Sequence, residues 1–338
     1  MAPLAVILGC SGPTLTEEER DFFTRHNPLG FILFGRNIKT PEQVAALVGE
    51  LRATVGREDA PVLIDQEGGR VQRLHPPHWR KAPPGAVFAT LARRDIERAR
   101  HALYLNNRLI AADLVALGID VDCTPVLDVP VSGAHDVIGD RAFGEEPGMV
   151  ADLGGVVCKA MLDGGVIPIV KHVPGHGRAM VDSHLDLPVV DATLEELRRR
   201  DFAPFATLKD APWAMTAHVV YRAIDANAPA TTSRRVIEEI VRGEIGFDGL
   251  LLSDDLSMKA LKGDFGARTA ASLEAGCDVV LHCNGDMAEM KAIVAAATPM
   301  TDAALARLAR GAAMRASPKG PETMDRTAAL AELESLLA

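Results

Sequence analysis

Three histidines, a lysine and two aspartates fall within sixteen residues, KHVPGHGRAMVDSHLD at positions 171–186. Imidazoles exchange protons near neutral pH, and a carboxylate beside one can orient the ring and stabilise its charged form. The segment follows a short apolar run at 166–170 that reads as a buried strand. Pro174, Gly175 and Gly177 break it, so it is a loop and not an amphipathic helix. A merely solvated loop has no need of three of the chain's ten histidines. Polar, titratable groups just past the C-terminal end of a buried strand are where α/β proteins place their chemistry.

Similar residues follow other apolar runs. The run at 61–64 leads into Asp65, Gln66, Glu67 and, after two glycines, Arg70 and Arg73. The run at 120–127 leads to Asp128, Asp140 and Arg141, and that at 213–216 to His218. The run at 249–252 leads to Ser253, Asp254 and Asp255, and that at 278–281 to His282 and Asn284. With the runs at 4–8, 30–34 and 167–170 they make eight short apolar segments, as expected of parallel strands covered on both faces. Helical patterns lie between them at 16–26, 40–54, 95–117, 149–162, 193–209, 233–243 and 267–275, several with Ser, Thr or Asp at the cap. A pair of helices is expected after Asp286. The fold class is therefore α/β, a (β/α)8 TIM barrel, forming one domain over residues 1–338. A doubly wound open sheet is the alternative, but GCSGP at 9–13 matches neither phosphate-binding glycine pattern. The proline-rich stretch at 75–84 reads as a lid or rim.

Composition narrows the partners. A net charge of −10 leaves no electrostatic footprint for nucleic acid, and 4% aromatic content argues against a base-stacking platform. No segment approaches eighteen uninterrupted apolar residues, so no membrane partner is expected. ILGC at 7–10 resembles a lipoprotein cleavage box, but no basic residue precedes it and the apolar run is short; a first buried strand is the plainer reading. The five cysteines are scattered without a CxxC pair, which points to reduced thiols in a cytoplasmic protein.

Each polar residue also has a plainer role. Asp65 can cap the turn before Gly68-Gly69. Arg73 and Arg141 can be rim ion pairs. His172 and His218 can be satisfied core histidines, and one of Asp254 and Asp255 can cap a helix. Convergence on one barrel mouth favours function, and two chemistries fit. His172, His176, His184 and His218 with Asp254 can form a metal site, as in barrel amidohydrolases, although no HxH pair ends the first strand and no HExxH occurs. Alternatively, a carboxylate nucleophile and an acid/base group act on a hydroxylated ligand gripped by charged side chains. Asp254, His184, Asp65, Arg73, Arg141 and Lys171 meet that description.

Four motifs in order, IDQEGGRVQR (64–73), IGDRAFG (138–144), KHVPGHG (171–177) with DSH (182–184), and GFDGLLLSDDLSM (246–258), resemble glycoside hydrolase family 3. Within it they are similar to the single-domain bacterial β-N-acetylglucosaminidases of peptidoglycan recycling. Val173 departs from the family's usual phenylalanine, and Glu145-Glu146 follows Gly144 where other residues are common. The resemblance implies a retaining mechanism without metal or cofactor, with Asp254 as nucleophile and His184, paired with Asp182, as acid/base. It implies that Asp65, Arg73, Arg141, Lys171 and His172 hold the sugar. The expected partner is a small sugar or muropeptide, GlcNAc linked to 1,6-anhydro-N-acetylmuramic acid, and the expected state is a monomer. A glycoside phosphorylase and an inactive sugar-binding barrel remain alternatives. Gly175, Gly177 and Ala179 read as a hinge that lets the loop carry His184 between two positions.

Overall fold

The computed structural model describes residues 2–133, 135–181, 183, 186–315 and 324–338. Eight strands close into a barrel: β1 (Leu4–Gly9), β2 (Pro28–Leu33), β3 (Val62–Ile64), β4 (Val121–Asp122), β5 (Ile167–Val173), β6 (Trp213–Thr216), β7 (Leu250–Asp255) and β8 (Val279–His282). Each pairs in parallel with its sequence neighbours, and β1 closes the ring against β8. The TIM-barrel expectation is met. Cys10 follows β1 and is 1% exposed, so ILGC is the end of a barrel strand.

Strand periodicity builds two apolar layers. Side chains at i and i+2 share a face. One set, including Ala5, Ile7, Leu63, Val121, Ile167, Ile169, Leu250, Leu252, Val279 and Leu281, forms the barrel interior. Intervening residues such as Val6, Leu8, Val62, Ile64, Val170, Leu251 and Val280 pack outward against the helices. The helices start where capping chemistry puts them. Thr16 caps α1 (Glu17–His26) in a reciprocal box with Glu19, and Thr40 caps α2 (Pro41–Val55), whose proline occupies the first turn.

The elements depart from expectation in several places. β5 runs on to Val173 and β7 to Asp255, so Lys171, His172, Asp254 and Asp255 lie on strands instead of in the loops after them. β4 is only two residues long; Pro125 lacks the N–H that a ladder requires, and the chain resumes contact at Val126, which bridges Lys171. The helix expected at 193–209 is split into Leu194–Glu196, a π-helical stretch Leu197–Asp201, and Ala203–Thr207, the last with a proline in its first turn. Among the described residues, three helices, not two, follow Asp286: Met287–Ala296, Asp302–Met314 and Arg326–Leu337. A short helix, Gly85–Ala92, and a two-stranded pair, Val189–Val190 with Val220–Tyr221, were not foreseen.

Barrel closure constrains Gly30. A Cβ there would sit 2.3 Å from the Pro61 carbonyl oxygen, where the Phe31 N–H already donates at 2.9 Å. Gly30→Ala is expected to destabilise the fold by about 1–3 kcal/mol, the usual range for overpacking. Urea unfolding measures this; an unchanged midpoint would show that β2 and β3 can separate without cost.

Candidate active site

The alternation that fills the barrel also fills its mouth. Leu63 is followed two residues on by Asp65, Ile167 and Ile169 by Lys171, and Leu250 and Leu252 by Asp254. Three interior-facing series thus end in charged residues at the same end of the barrel.

Lys171 is the centre of a buried charge network. Its Nζ lies 3.0 Å from Asp65 Oδ1 and 2.7 Å from Glu67 Oε1. Asp65 Oδ2 accepts from Arg73 at 2.9 Å, and Glu67 takes both Nε and Nη2 of Arg141 at 2.9 and 2.7 Å. Burial alone would raise the Asp65 carboxyl, but the Lys171 ammonium and then the Arg73 guanidinium outweigh it and hold it well below the usual carboxylate range. Glu67 is lowered in the same way, its burial opposed by Arg141 and then Lys171. Burial works against the Lys171 charge, yet Asp65 and Glu67 raise its affinity for the proton; Glu67 does the same for Arg141. Three cations therefore face two carboxylates at neutral pH, and the carboxylates keep lone pairs beyond those their partners use. Gln66 folds the connecting turn. Its Oε1 accepts the N–H groups of Arg73 and Leu74, and its own N–H donates to Asp122.

A second group forms around Asp128, which is fully buried. Its Oδ2 pairs with His172 Nδ1 at 2.6 Å, while Oδ1 accepts the N–H groups of His172 at 3.2 Å and His176 at 2.6 Å. Burial would raise this carboxyl, but His172 and the hydrogen bonds bring it down to about 2. With Nδ1 committed to Asp128, Nε2 is the position through which His172 can meet a ligand. His176 is 3% exposed, and burial pushes its pKa down to about 4.

The plainer reading holds for His218. It is fully buried, with Nδ1 2.7 Å from Thr231 Oγ1 and Nε2 3.0 Å from the Asp255 carbonyl oxygen, so both ring nitrogens serve the fold. Asp255 is likewise tied down. Its Oδ1 accepts the N–H groups of Ser257 and Cys283, and its Oδ2 accepts the Ser257 hydroxyl at 2.5 Å. Asp254 is half-buried on the interior series and accepts the Asp255 N–H; its charge reaches both His176 and His218, raising their proton affinity.

The structure thus brings Asp65, Arg73, Arg141 and Lys171 into one network and sets His172 beside it on β5. Asp182 and His184 lie outside the described residues. Glu67 and Asp128 belong to these clusters although their sequence positions alone gave them no role, and His176, a candidate metal ligand in the sequence, instead bonds Asp128 through its N–H and Ser183 through Nε2. Glu67 was within reach of a sequence reading, standing two residues after Asp65. Among the described residues, no group of three or more His, Cys, Asp or Glu is placed to hold a metal ion. The small residues of the 175–179 loop are closely packed. A Cβ on Gly177 would meet the Val129 carbonyl oxygen at 2.1 Å, Gly175 (φ +133°) abuts Asp201, and Ala179 is 2% exposed.

Comparison with known proteins agrees with this architecture. The glycosyl hydrolase family 3 N-terminal domain matches residues 5–310. A β-hexosaminidase of Alkalilimnicola ehrlichii is 41% identical over 283 residues, 82% of this chain and 80% of that protein. One from Methylococcus capsulatus is 42% identical over 277 residues, 81% and 80% of the two chains. Among solved structures, NagZ from Neisseria gonorrhoeae in complex with N-trifluoroacetyl-D-glucosamine is similar over 100% of this chain and 99% of its own, with TM-score 0.89 and 34% identity. The same protein is also known in complex with a zinc ion, at TM-score 0.87 and 33% identity over the same shares.

Asp122, beneath the network, supplies a pH test. It is fully buried; Oδ1 accepts only the Gln66 N–H, and Oδ2 has no partner among the described residues. Burial pushes its carboxyl up to about 8, against the lowering pull of that N–H and of Lys171. Unfolded, it titrates near ~3.9. Its contribution to stability is therefore complete below about pH 4 and is lost as pH rises through about 8. Asp122→Asn should gain thermal stability relative to the parent between pH 5 and pH 9. A Tm difference that is flat or falls over that range would contradict the protonated assignment.

Proposed function

The chain belongs to glycosyl hydrolase family 3, and on that footing we propose that it is a retaining exo-β-N-acetylglucosaminidase in which Asp254 is the nucleophile and His184, oriented by Asp182, the acid/base. The observation that carries the reading is the placement of Asp254, which continues the interior series of Leu250 and Leu252 into the charged mouth, while Asp255 turns to Ser257 and Cys283. A terminal β-linked N-acetylglucosamine bound there offers hydroxyl and amide groups. Asp65 accepts from hydroxyls, and Arg73, Arg141 and Lys171 donate to oxygens. His172 adds Nε2 from its fixed ring.

The chemistry follows in two displacements. An Asp254 oxygen bonds to the anomeric carbon as the bond to the leaving oxygen breaks, and the His184 imidazolium gives that oxygen its proton. The neutral imidazole then takes a proton from water as the water oxygen displaces Asp254 from the sugar. The amide of the substrate remains intact throughout. The substrate proposed is GlcNAc linked to 1,6-anhydro-N-acetylmuramic acid, with or without its stem peptide, and the barrel acts as one catalytic unit, a monomer. All five cysteines are buried and free, which suits a reducing, cytoplasmic compartment. No helix among the described residues is long and apolar enough to cross a membrane.

A fluorinated N-acetylglucosaminyl donor tests the nucleophile. Peptide mass spectrometry should find the trapped sugar on Asp254, and Asp254→Ala should lose turnover with its Tm preserved. An adduct on Asp255, or none, would overturn the assignment. His184→Ala should slow substrates with poor leaving groups by about 10² to 10⁴ and aryl glycosides less in the glycosylation step. Equal losses on both would remove His184 from proton transfer.

A further inference from the structure

Ser183 stands apart from its surroundings. Met180 is 60% exposed, Val181 is 37% exposed and Asp186 is also exposed, yet Ser183 is 3% exposed. Two bonds hold it from different sides. Its hydroxyl shares a hydrogen bond with His176 Nε2 at 3.1 Å. Its carbonyl oxygen accepts the Ala260 N–H at 3.3 Å. His176 lies just beyond β5 and is itself fixed, since its N–H donates to Asp128 Oδ1 at 2.6 Å. Ala260 lies in the segment after β7, five residues beyond the aspartate pair, and is 1% exposed. Ser183 therefore ties the loop after β5 to the segment after β7, the strand that carries Asp254.

Its place in the chain gives that tie a use. Asp182 precedes it and His184 follows it. Consecutive Cα atoms are about 3.8 Å apart, so anchoring one residue restricts where its neighbours can go. A group that transfers a proton must be held to within a fraction of an ångström of its working position, and groups that do not touch substrate commonly supply that restraint.

We propose that Ser183 is a positioning residue, whose bonds to His176 and to the Ala260 N–H tie the loop that carries the acid/base to the segment after the strand that carries the nucleophile. This rests on the assignment of the acid/base to His184 given above. His176 acts with it as the fixed post, its ring buried and its N–H held by Asp128.

The test is a leaving-group series. The kcat values of the full-length enzyme are measured for the glycosylation step on aryl and alkyl β-N-acetylglucosaminides, with Ser183→Ala, Ser183→Thr, His176→Gln and His184→Ala compared with the parent. Ser183→Ala is expected to slow the least acidic leaving groups about three- to tenfold, the range for one neutral hydrogen bond, and the most acidic ones less. KM should change little, and Ser183→Thr, which keeps the hydroxyl, should recover most of the loss. His176→Gln should move the slope in the same direction and serves if Ser183→Ala does not fold. Equal losses across the series, or a lowered Tm with an unchanged slope, would reduce Ser183 to a structural residue and overturn the proposal. His184→Ala separates the two claims. If it leaves the slope unchanged, the acid/base assignment fails and the proposal with it. If it steepens the slope while Ser183→Ala does not, the proposal alone fails.

Discussion

The buried ammonium of Lys171 is the constraint around which the mouth of this barrel is arranged. Its side chain is 3% exposed at the end of an interior series that otherwise holds only apolar residues. Removing such a charge from water costs several kcal/mol even after the protein relaxes, and only close partners offset it. Asp65 and Glu67 supply them, and each brings a further cation, Arg73 and Arg141. Those guanidiniums in turn fix the chain segments that carry them, so the turn around Gln66 and the segment around Arg141 belong to one electrostatic unit. Breaking such a set by removing one partner costs more than never having built it, about 3–5 kcal/mol for a buried pair. The network's lasting product is a preorganised face of ionised donors and acceptors, suited to a hydroxylated ligand.

The same economy separates residues of identical type. Asp254 and Asp255 are adjacent, but pleating sends them to opposite sides of β7, where Ser257 and Cys283 occupy one and the charged mouth lies before the other. His172 and His218 are both buried. His218 spends both nitrogens on Thr231 and the Asp255 carbonyl, while His172 spends one on Asp128. For the aspartates the side of the strand decides which faces the mouth; for the histidines it is how many ring nitrogens the fold has already used.

Much of this was legible in the sequence, for reasons that also mark where legibility stopped. Strand count and order follow from apolar runs, and Asp65, Lys171 and Asp254 follow from charged residues at the ends of those runs. Strand length did not follow, because β5 and β7 continue through polar residues whose backbone pairing no hydropathy pattern records. Glu67 and Asp128 went unassigned because their partners, Arg141 and His172, lie far off in sequence. The 193–209 segment reads as one helix, yet Pro204 and the π-helical turn divide it. The lack of room for a Cβ at Gly177 was not legible either, because it comes from the Val129 carbonyl, far off in sequence. The tie at Ser183 depends on His176 and Ala260 together, and no spacing rule joins those three positions.

The central claim is that an aspartate on β7 attacks the anomeric carbon and that water later displaces it. The stereochemistry of the first-formed product reports this most directly. Proton NMR of an aryl β-N-acetylglucosaminide, recorded before mutarotation, should show the β-anomer of N-acetylglucosamine appearing first, as two successive inversions require. Early appearance of the α-anomer would mean a single displacement by water and would contradict a covalent role for Asp254.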